Sequence, residues 1–336
     1  MRRTGWWVIM LGCLLAAVPQ VSAVMPAGLQ LERVLTPKEG LSHPVILSLA
    51  VGPEHVYIGT RKYLNVLKKD GTITHWTPEN SKLKFLMIPA MAVRGHELWT
   101  TCRSPVAGGG TYRWDGLQWE WFEEIKDDMQ SNYVSCFHVD DKNVLWIGTE
   151  DQGLNYYVHE TNPFRKFGYL ATKKGIVSNQ IMCLTSRPGE LWIGTVAGIS
   201  VYRGQEGDRA LVTNHTLTSG LPADRITALA ATPERVYAGS TLGLQIFENG
   251  SWRLLGKEAG LADAWITALA VDGSDLWIGT ARGLQVMRGG RIEPPIDHRD
   301  GLPAHQIRCL AIGRGPDGGT RLYVGTERGL AIFKRL

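Results

Sequence analysis

Several features that mark common functional classes are missing from this chain of 336 residues. After residue 23, no segment approaches the roughly 18 consecutive apolar residues of a membrane-spanning helix. The 36 Lys and Arg residues barely exceed the 32 Asp and Glu residues, and this excess is too small to indicate nucleic-acid binding. The rest of the chain has no long run of one charge and no clear helical period. We therefore expect a mature chain with no membrane span and no nucleic-acid partner.

Motifs of catalysis and metal binding are missing as well. Ser240 resembles the serine of a nucleophile elbow, but Gly239 directly precedes it, so the Gly-x-Ser-x-Gly spacing fails. The glycines at 108–110 are not followed by the Lys and the Ser or Thr of a phosphate-binding loop. The nine histidines include no His-x-x-x-His pair. We interpret the segment around His138 as the end of a strand with its turn, and the segment 297–301 as a link between repeats. We expect no catalytic residue, no metal and no cofactor.

Residues 1–23 have the layout of a secretory signal peptide. Arg2 and Arg3 precede an apolar run at 6–18, and the sequence Val-Ser-Ala ends at Ala23. A lipoprotein processed at Cys13 is the alternative, although the apolar run continues past that cysteine. We predict cleavage near Ala23, a periplasmic or secreted protein, and one domain over residues 24–336.

A phrase close to Leu-Trp-Ile-Gly-Thr returns throughout the chain, which contains 39 glycines and 12 tryptophans. Successive copies are 40 to 47 residues apart, which is the period of a β-propeller blade. One blade exposes two apolar faces, and stacking blades radially buries both of them. We expect the motif aromatic to fill the layer between blades. These aromatics are Tyr57, Trp99, Trp146, Trp192, Tyr237, Trp277 and Tyr323.

Each copy contains four short apolar segments separated by turns rich in Gly and Asp. In the sixth copy these segments lie at 265–272, 276–280, 284–288 and 291–296. We name the corresponding strands A to D, from the propeller axis outward. Pro294 and Pro295 then fall in strand D at the outer edge, where a missing N–H costs least.

The two ends of the chain predict how the ring closes. The seventh copy stops after its third strand, and the segment before the first copy resembles the D strand and link at 251–261. The N-terminal strand 29–36 is therefore expected to complete the last blade. The predicted fold is all-β, a seven-bladed propeller of four-stranded antiparallel blades.

One slot in strand A holds a small residue in every copy, as expected where strands crowd around an axis. We therefore expect its cysteines to serve as small apolar side chains and not as disulfides. Cys136 and Cys183 are the pair to test for a bridge. The occupants are Ser48, Ala90, Cys136, Cys183, Ala228, Ala268 and Cys309.

The face that carries the D-to-A links and B-to-C turns varies most between copies. Its aromatic and guanidinium groups around a central opening suit an anionic or glycan-like ligand. Arg308 is the one charge in its strand A slot. The alternative is that these arginines are simply solvated and that the aromatics cap the core. The predicted ligand-binding residues are Arg61, Arg103, Tyr133, Gln180, Arg225, Trp265, Arg282, Gln306, Arg308 and Arg328.

The segments GLPADRITALAATPERVYAGSTLGLQIF and GLADAWITALAVDGSDLWIGTARGLQVM resemble two-component regulator propeller repeats, and the resemblance covers residues 39–336. It implies an exported sensor propeller, a type often placed ahead of a membrane span and a histidine kinase, some members of which bind glycan fragments. Because the chain ends at Leu336 without a kinase, we expect signalling to need a separate partner, such as a sensor kinase.

Three functions stay open after these observations. The first is a non-enzymatic binding or sensor propeller for a small anionic or glycan-like ligand. The second is a scaffold that docks another envelope protein. The third, which the sequence favours least, is a propeller lyase or hydrolase, because the strand A positions offer almost no converging His, Asp or Glu.

Overall fold

The computed structural model describes residues 28–158, 167–315 and 317–336. The signal peptide predicted at 1–23 lies outside these residues and stays a prediction. Each of the 28 strands in the described chain belongs to one of seven four-stranded antiparallel sheets. The predicted all-β, seven-bladed fold is confirmed.

The first strand along the chain, β1 (Leu29–Leu35), belongs to the last blade. The next three blades follow chain order from strand A to strand D. Blade 1 consists of β2 (Ile46–Val51), β3 (His55–Thr60), β4 (Leu64–Lys68) and β5 (Ile73–Trp76). Blade 2 consists of β6 (Met91–Arg94), β7 (Glu97–Ser104), β8 (Ala107–Trp114) and β9 (Trp119–Phe122). Blade 3 consists of β10 (Val134–Val139), β11 (Leu145–Thr149), β12 (Leu154–Tyr157) and β13 (Phe167–Leu170).

The remaining four blades have the same order, except that the last one borrows its D strand from the chain start. Blade 4 consists of β14 (Ile181–Arg187), β15 (Glu190–Thr195), β16 (Gly198–Glu206) and β17 (Arg209–His215). Blade 5 consists of β18 (Ala228–Ala231), β19 (Val236–Gly239), β20 (Leu244–Glu248) and β21 (Ser251–Leu255). Blade 6 consists of β22 (Ile266–Asp272), β23 (Asp275–Thr280), β24 (Gly283–Arg288) and β25 (Arg291–Ile292). Blade 7 consists of β26 (Ile307–Arg314), β27 (Thr320–Thr326), β28 (Leu330–Arg335) and β1.

The seven A strands surround the axis. Each one contacts the A strand of the next blade, from β2 through β6, β10, β14, β18 and β22 to β26, which contacts β2 again. This unbroken series of contacts closes the ring.

The N-terminal strand closes blade 7, as predicted. β1 pairs antiparallel with β28 from Leu29 opposite Arg335 to Leu35 opposite Leu330. Leu29 and Leu35 are buried. The Arg321 guanidinium donates to both carboxylate oxygens of Glu32, at 2.7 and 2.8 Å. Ring closure therefore combines a strand ladder, apolar burial and an ion pair between the two chain ends. The strand ends one residue earlier than predicted, because Thr36 caps the following turn.

The apolar core is divided into layers between neighbouring blades. Trp277 of blade 6, for example, is 1% exposed and belongs to one cluster with Leu322, Val324 and Phe333 of blade 7. All seven motif aromatics are buried, as expected for groups that fill these layers.

The threonine at the end of the repeated phrase closes the B-to-C turn with its hydroxyl group. In blade 6 the Thr280 hydroxyl donates to the Gly283 carbonyl at 3.0 Å and accepts from the Arg282 N–H at 3.0 Å. Gly283 has a φ of 127°, a left-handed conformation that favours glycine. Ser240 makes the same bond to Gly243, at 3.0 Å. Ser240 is thus a turn residue in the position of the motif threonine.

In five of the seven blades, a buried polar residue in strand C accepts a hydrogen bond from the incoming link, and the sequence reasoning missed these residues. The Gln285 amide oxygen accepts from the Ala262 N–H at 2.7 Å, and its amide nitrogen donates to Gly260 and Glu293 carbonyls, both at 2.9 Å. Equivalent acceptors serve the links of four other blades. They are Asn65, Asn155, Ser200 and Gln245.

The links contain the only helices of the described chain, and each is a single turn. Five are 3₁₀ turns that end at a left-handed glycine, and one is an α-helical turn, α1 (Glu124–Asp127). None of the helices in residues 28–158, 167–315 and 317–336 is long and apolar enough to cross a membrane. The 3₁₀ turns are Pro37–Glu39, Thr172–Lys174, Leu217–Ser219, Lys257–Ala259 and His298–Asp300.

The D strand of blade 6 is shorter than the predicted 291–296. Only Arg291–Ile292 pairs as a strand, and Ile296 makes an isolated bridge to Leu284. Pro294 and Pro295 lie between them and have no N–H to donate, so the ladder is interrupted there.

The small slot of strand A faces a glycine of strand B in six of the seven blades. A Cβ added at Gly194 would lie 2.6 Å from Cys183 Sγ and 2.8 Å from Ile226 Cγ2, so the space is full. The four cysteines in the described chain, including the slot residues Cys136 and Cys183, are free thiols.

Candidate ligand-binding site

The D-to-A links and B-to-C turns meet on one face of the ring, which we call the rim face. In blade 3, the Glu150 N–H of the B-to-C turn donates to the Tyr133 carbonyl, just before strand A, at 2.9 Å. The Gly153 N–H of the same turn donates to Asn179 in the following link, also at 2.9 Å. Side chains from three consecutive segments of the chain are thus presented together.

The rim face contains a cavity of about 430 Å³, which we call the rim pocket. It is formed by blades 2 to 5, and three of the predicted residues line it: Arg103, Gln180 and Arg225. Its wall and floor combine these polar groups with apolar side chains. The other lining residues are Pro89, Val134, Ser135, Glu150, Ile181, Met182 and Val196.

Hydrogen bonds from the link backbone position the polar residues of the rim pocket. The Gln180 N–H donates to Ser178 Oγ at 3.1 Å, and the Ile226 N–H beside Arg225 donates to the Thr195 carbonyl at 3.0 Å. The backbone around both side chains is therefore fixed while the side chains themselves stay exposed.

The two arginines of the rim pocket differ electrostatically. Arg103 of blade 2 forms an ion pair with Glu150 of blade 3, so its charge is largely compensated. Arg225 takes part in none of the ion pairs found in the described part of the chain. The pocket therefore carries a net positive charge beside the Gln180 amide, which can both donate and accept hydrogen bonds.

A second cavity of about 280 Å³ lies along the axis and shares Pro89 and Ser135 with the rim pocket. Arg308 lines this axial channel, and its buried Nε has no hydrogen-bond partner among the described residues. Cys136 and Cys309 line it too, and burial raises the pKa of both thiols to about 12. These thiols stay protonated near neutral pH and are poor nucleophiles.

The structure places the other six predicted residues outside both cavities. Tyr133 and Trp265 stand on the rim, 42% and 46% exposed. Arg282 is held by Asp263, with Nε 3.3 Å from Oδ2. Arg61, Gln306 and Arg328 belong to blades 1 and 7, which contribute no residue to the lining of the rim pocket. The ten predicted ligand-binding residues therefore do not form one site: three line the rim pocket, one lines the axial channel, and six lie outside both cavities.

Glu150 is the pocket residue whose role the sequence reasoning missed. It occupies the B-to-C turn of blade 3, next to the end of β7 in blade 2, which carries Arg103. Opposite charges near the B-to-C hairpins of consecutive blades are a signal from which this ion pair could have been predicted. Val196 carried no comparable signal.

Two cavities on the opposite face, which carries the A-to-B turns, contain ion pairs. In the cavity of about 530 Å³, Arg235 is bonded to Glu248 at 2.7 Å. In the cavity of about 400 Å³, Lys69 is paired with Glu54 at 3.0 Å. Neither cavity contains a residue of the predicted site.

Among the described residues, one group has the composition of a metal site. Asp297, His298 and His305 can bring one ligand atom each within 4.8 Å of one another. They lie in the link between blades 6 and 7 and do not line the rim pocket.

Comparison with known proteins supports the fold and the repeat. A family model described as two component regulator propeller matches residues 128–151, which span the start of blade 3. No curated protein sequence matches the chain.

Several solved structures share the fold at low sequence identity. The extracellular domain of a protein described as the hybrid two component system BT3049 from B. thetaiotaomicron is 18% identical, with a TM-score of 0.71, over 92% of this chain and 41% of that one. PorZ, a surface component of the type-IX secretion system of Porphyromonas gingivalis, is 14% identical, with a TM-score of 0.68, over 91% and 48%. YCF48 bound to D1 peptide is 13% identical, with a TM-score of 0.63, over 92% and 96%.

This chain spans less than half the length of the first two of these proteins, and at such identities the likeness concerns the fold alone. Together with the match over residues 128–151, the seven blades confirm the resemblance that the repeats indicated. The chain is a seven-bladed propeller that carries a two-component regulator propeller repeat.

Proposed function

We propose that this protein is an exported, non-enzymatic binding or sensor propeller that recognises a small anionic or glycan-like ligand in the rim pocket. The observation that carries the proposal is the convergence of Arg103, Gln180 and Arg225 around one cavity, with the Arg225 charge uncompensated by any ion pair in the described chain.

The chemistry of the pocket fits a carboxylate or sulfate attached to a polar ring. A guanidinium can donate two parallel hydrogen bonds to such an anion, and the Gln180 amide can bond neighbouring hydroxyls. The apolar side chains of Ile181, Met182 and Val196 offer a surface for the C–H face of a sugar.

A binding role is favoured over catalysis by the composition of the pocket wall. Arg103, Glu150 and Arg225 are its titratable lining residues, and Glu150 is engaged by Arg103. This arrangement offers no activated nucleophile and no acid–base pair among the described lining residues.

The structural neighbours give the proposal its cellular context. One is an extracellular domain of a two-component system, and another is a surface component of a secretion system. By analogy, we propose that this protein acts in the periplasm or outside the cell, with an envelope protein such as a sensor kinase as its partner.

Docking of a protein partner is the second candidate function. One neighbour was solved with a bound peptide. On this chain, the B-to-C hairpin of blade 2 exposes Val106 at 90%, and Leu86, at 44%, lies in the adjacent link. These two apolar side chains on adjacent segments are a surface that a partner protein would cover in this second candidate function.

Titration calorimetry with trigalacturonate and the neutral control maltotriose tests the binding proposal. We expect trigalacturonate to bind, and Arg225→Ala to weaken binding at least about tenfold, because a charge-assisted hydrogen bond contributes about 1.5–3 kcal/mol. Arg253→Ala is the matched control, since Arg253 is exposed on the D strand of blade 5, far out from the axis. Equal binding by the Arg225 and Arg253 variants would reject the rim pocket.

A glycan array and an envelope-extract pull-down, run in parallel, separate the two candidate functions. A pull-down partner lost in Val106→Asp, without any glycan bound by the wild type, would favour the docking scaffold. Cleavage of a bound glycan during the assay would instead favour the lyase or hydrolase.

A further inference from the structure

The link between blades 6 and 7 folds back on itself and brings two imidazole rings together. Asp297 caps the 3₁₀ turn His298–Asp300, and Gly301 reverses the chain with a φ of 95°. His305 returns to the start of the link, where its ring centroid lies 4.4 Å from that of His298, at an interplanar angle of 68°. The two histidines are seven residues apart, so they do not match the His-x-x-x-His spacing of a helical metal site.

A carboxylate completes the group. His298 Nδ1 lies 3.7 Å from Asp297 Oδ1, and one ligand atom from each of Asp297, His298 and His305 lies within 4.8 Å of the others. Both imidazoles are exposed, whereas Asp297 is 7% exposed. A bound ion would therefore rest on a fixed carboxylate and be reached from solvent.

The link has little freedom to open, because buried residues anchor it on both sides. Ile296 precedes the group and Leu302 follows the turn, and both belong to the apolar cluster between blades 6 and 7. Ala304, directly before His305, is also buried. The two histidines are thus held near each other by the core and not by their own contact alone.

We propose that Asp297, His298 and His305 form a surface site for a borderline divalent transition metal such as Zn²⁺. Two imidazole nitrogens and one carboxylate oxygen are ligands that Zn²⁺ prefers, and tetrahedral coordination would leave one position for water or for a group of a partner. Small side-chain rotations would bring the three ligand atoms to the closer spacing that one tetrahedral ion requires.

Arg299 competes with the metal for the carboxylate. Its Nε lies 3.1 Å from both Asp297 oxygens, and another of its nitrogens lies 2.7 Å from Oδ2. The Arg299 side chain is 76% exposed and can swing into solvent when a cation arrives.

Metal binding here would reinforce ring closure. The link lies over blade 7: a Cβ at Gly301 would collide with Leu31 of β1, and Pro303 packs near Gly329 of the B-to-C turn. An ion that joins the two ends of the link would hold it against the strand that closes the ring. A ligand that binds only the folded state raises its melting temperature.

Titration of the purified, metal-free protein with ZnCl₂ tests this site. We expect one Zn²⁺ to bind, and His298→Gln or His305→Gln to weaken binding at least about tenfold because one of three ligand atoms is lost. Arg299→Ala should tighten binding, because the competitor for the carboxylate is gone. His96→Gln is the matched control: His96 is exposed on blade 2, and its loss should change nothing. Zn²⁺ should raise the melting temperature of the wild type and not of His305→Gln.

Two results would overturn the assignment. Zn²⁺ binding that is absent in the wild type, or equally strong in His305→Gln, rules out the imidazole pair. If Arg299→Ala does not tighten Zn²⁺ binding and Asp297→Asn does not weaken it, the carboxylate is not a ligand of the site. Circular dichroism of each variant without metal confirms that its fold is intact.

Discussion

Trp265 and Trp277 belong to the same blade and have opposite surroundings. Trp277 is 1% exposed within the layer between blades 6 and 7, whereas Trp265 stands on the rim face and is 46% exposed. An aromatic residue fills the Trp277 position in all seven repeats, but the Trp265 position holds Val, Met, Tyr, Gln, Arg, Trp and Gln in turn. Repeated positions form the layers, and positions that differ between repeats form the rim.

This contrast indicates that the layers determine stability, and it leaves the rim free for the binding role that we propose. The layers bury large side chains between blades, so truncation there leaves a cavity. Rim side chains are exposed on short links whose backbone bonds are made without them. The two regions can therefore be disturbed separately, and the following predictions run from the largest expected effect on stability to the smallest.

Trp277→Ala should produce the largest loss of stability. We expect the free energy of unfolding to fall by about 3–5 kcal/mol, because a fully buried indole is replaced by a cavity. Urea unfolding monitored by circular dichroism measures it. Trp265→Ala is the matched control and should change stability by less than about 0.5 kcal/mol. Equal losses in the two variants would contradict the division between layer and rim.

His138 makes one layer sensitive to pH. Its Nε2 shares a hydrogen bond of 2.8 Å with Ser186 of the next blade, and burial lowers the pKa of His138 to about 4. The unfolded state, with a pKa of about 6.5, binds the proton first, so stability falls as the pH drops from about 6.5 towards 4. His138→Gln should remove about 2 kcal/mol of the loss between pH 7 and 5.

Unfolding curves of the wild type and His138→Gln at pH 7, 6 and 5 measure this difference. Other groups titrate in both proteins, so the comparison isolates His138. Parallel pH profiles would show that burial of this imidazole does not disfavour its charged form.

The closing ion pair should have an intermediate effect. Glu32→Gln removes one of the two carboxylates that Arg321 binds, the other being Asp317, and keeps the shape of the side chain. We expect a loss of about 1 kcal/mol, because Glu32 is itself 40% exposed. Glu54→Gln is the control: its pair with Lys69 is exposed on both sides and should contribute close to nothing. Thermal melts at low and high salt measure the stability loss in both variants. High salt screens the ion pair, so the stability difference between the wild type and Glu32→Gln should become smaller.

Arg225→Ala should have the smallest effect on stability, below about 0.5 kcal/mol, since Arg225 is exposed and lies outside the ion pairs of the described chain. Its effect on trigalacturonate binding should be among the largest. Melting temperature and calorimetric affinity, measured on one preparation, test both halves of the prediction. A clear drop in stability would mean that Arg225 belongs to the scaffold.

Sequence reasoning was strongest where the repeats agree. Seven copies of one phrase predicted the blades, the buried aromatics and the small slot of strand A. Packing between similar blades limits the size and polarity of the side chain at the same position of every repeat. The incomplete seventh copy predicted that β1 pairs with β28. These inferences depend on local pattern and on the need to bury both faces of each blade.

The rim could be predicted only as a set of candidates. Whether an arginine is available depends on which acid the neighbouring segment brings: Asp263 compensates Arg282, and Glu150 compensates Arg103, while Arg225 has no such neighbour in an ion pair. The buried amides of strand C were missed for a related reason. In the sequence, Gln285 is one polar residue in a predicted strand. Its hydrogen-bond partners belong to the link, and only the structure shows that the link folds over Gln285.

The position of a bound probe tests the central claim most directly. A crystal structure of the protein grown with trigalacturonate should show a carboxylate of the probe within hydrogen-bonding distance of the Arg225 guanidinium, between blades 2 and 5. Probe density on the opposite face or only at Arg282 and Arg328, with the rim pocket filled by solvent, would contradict the account.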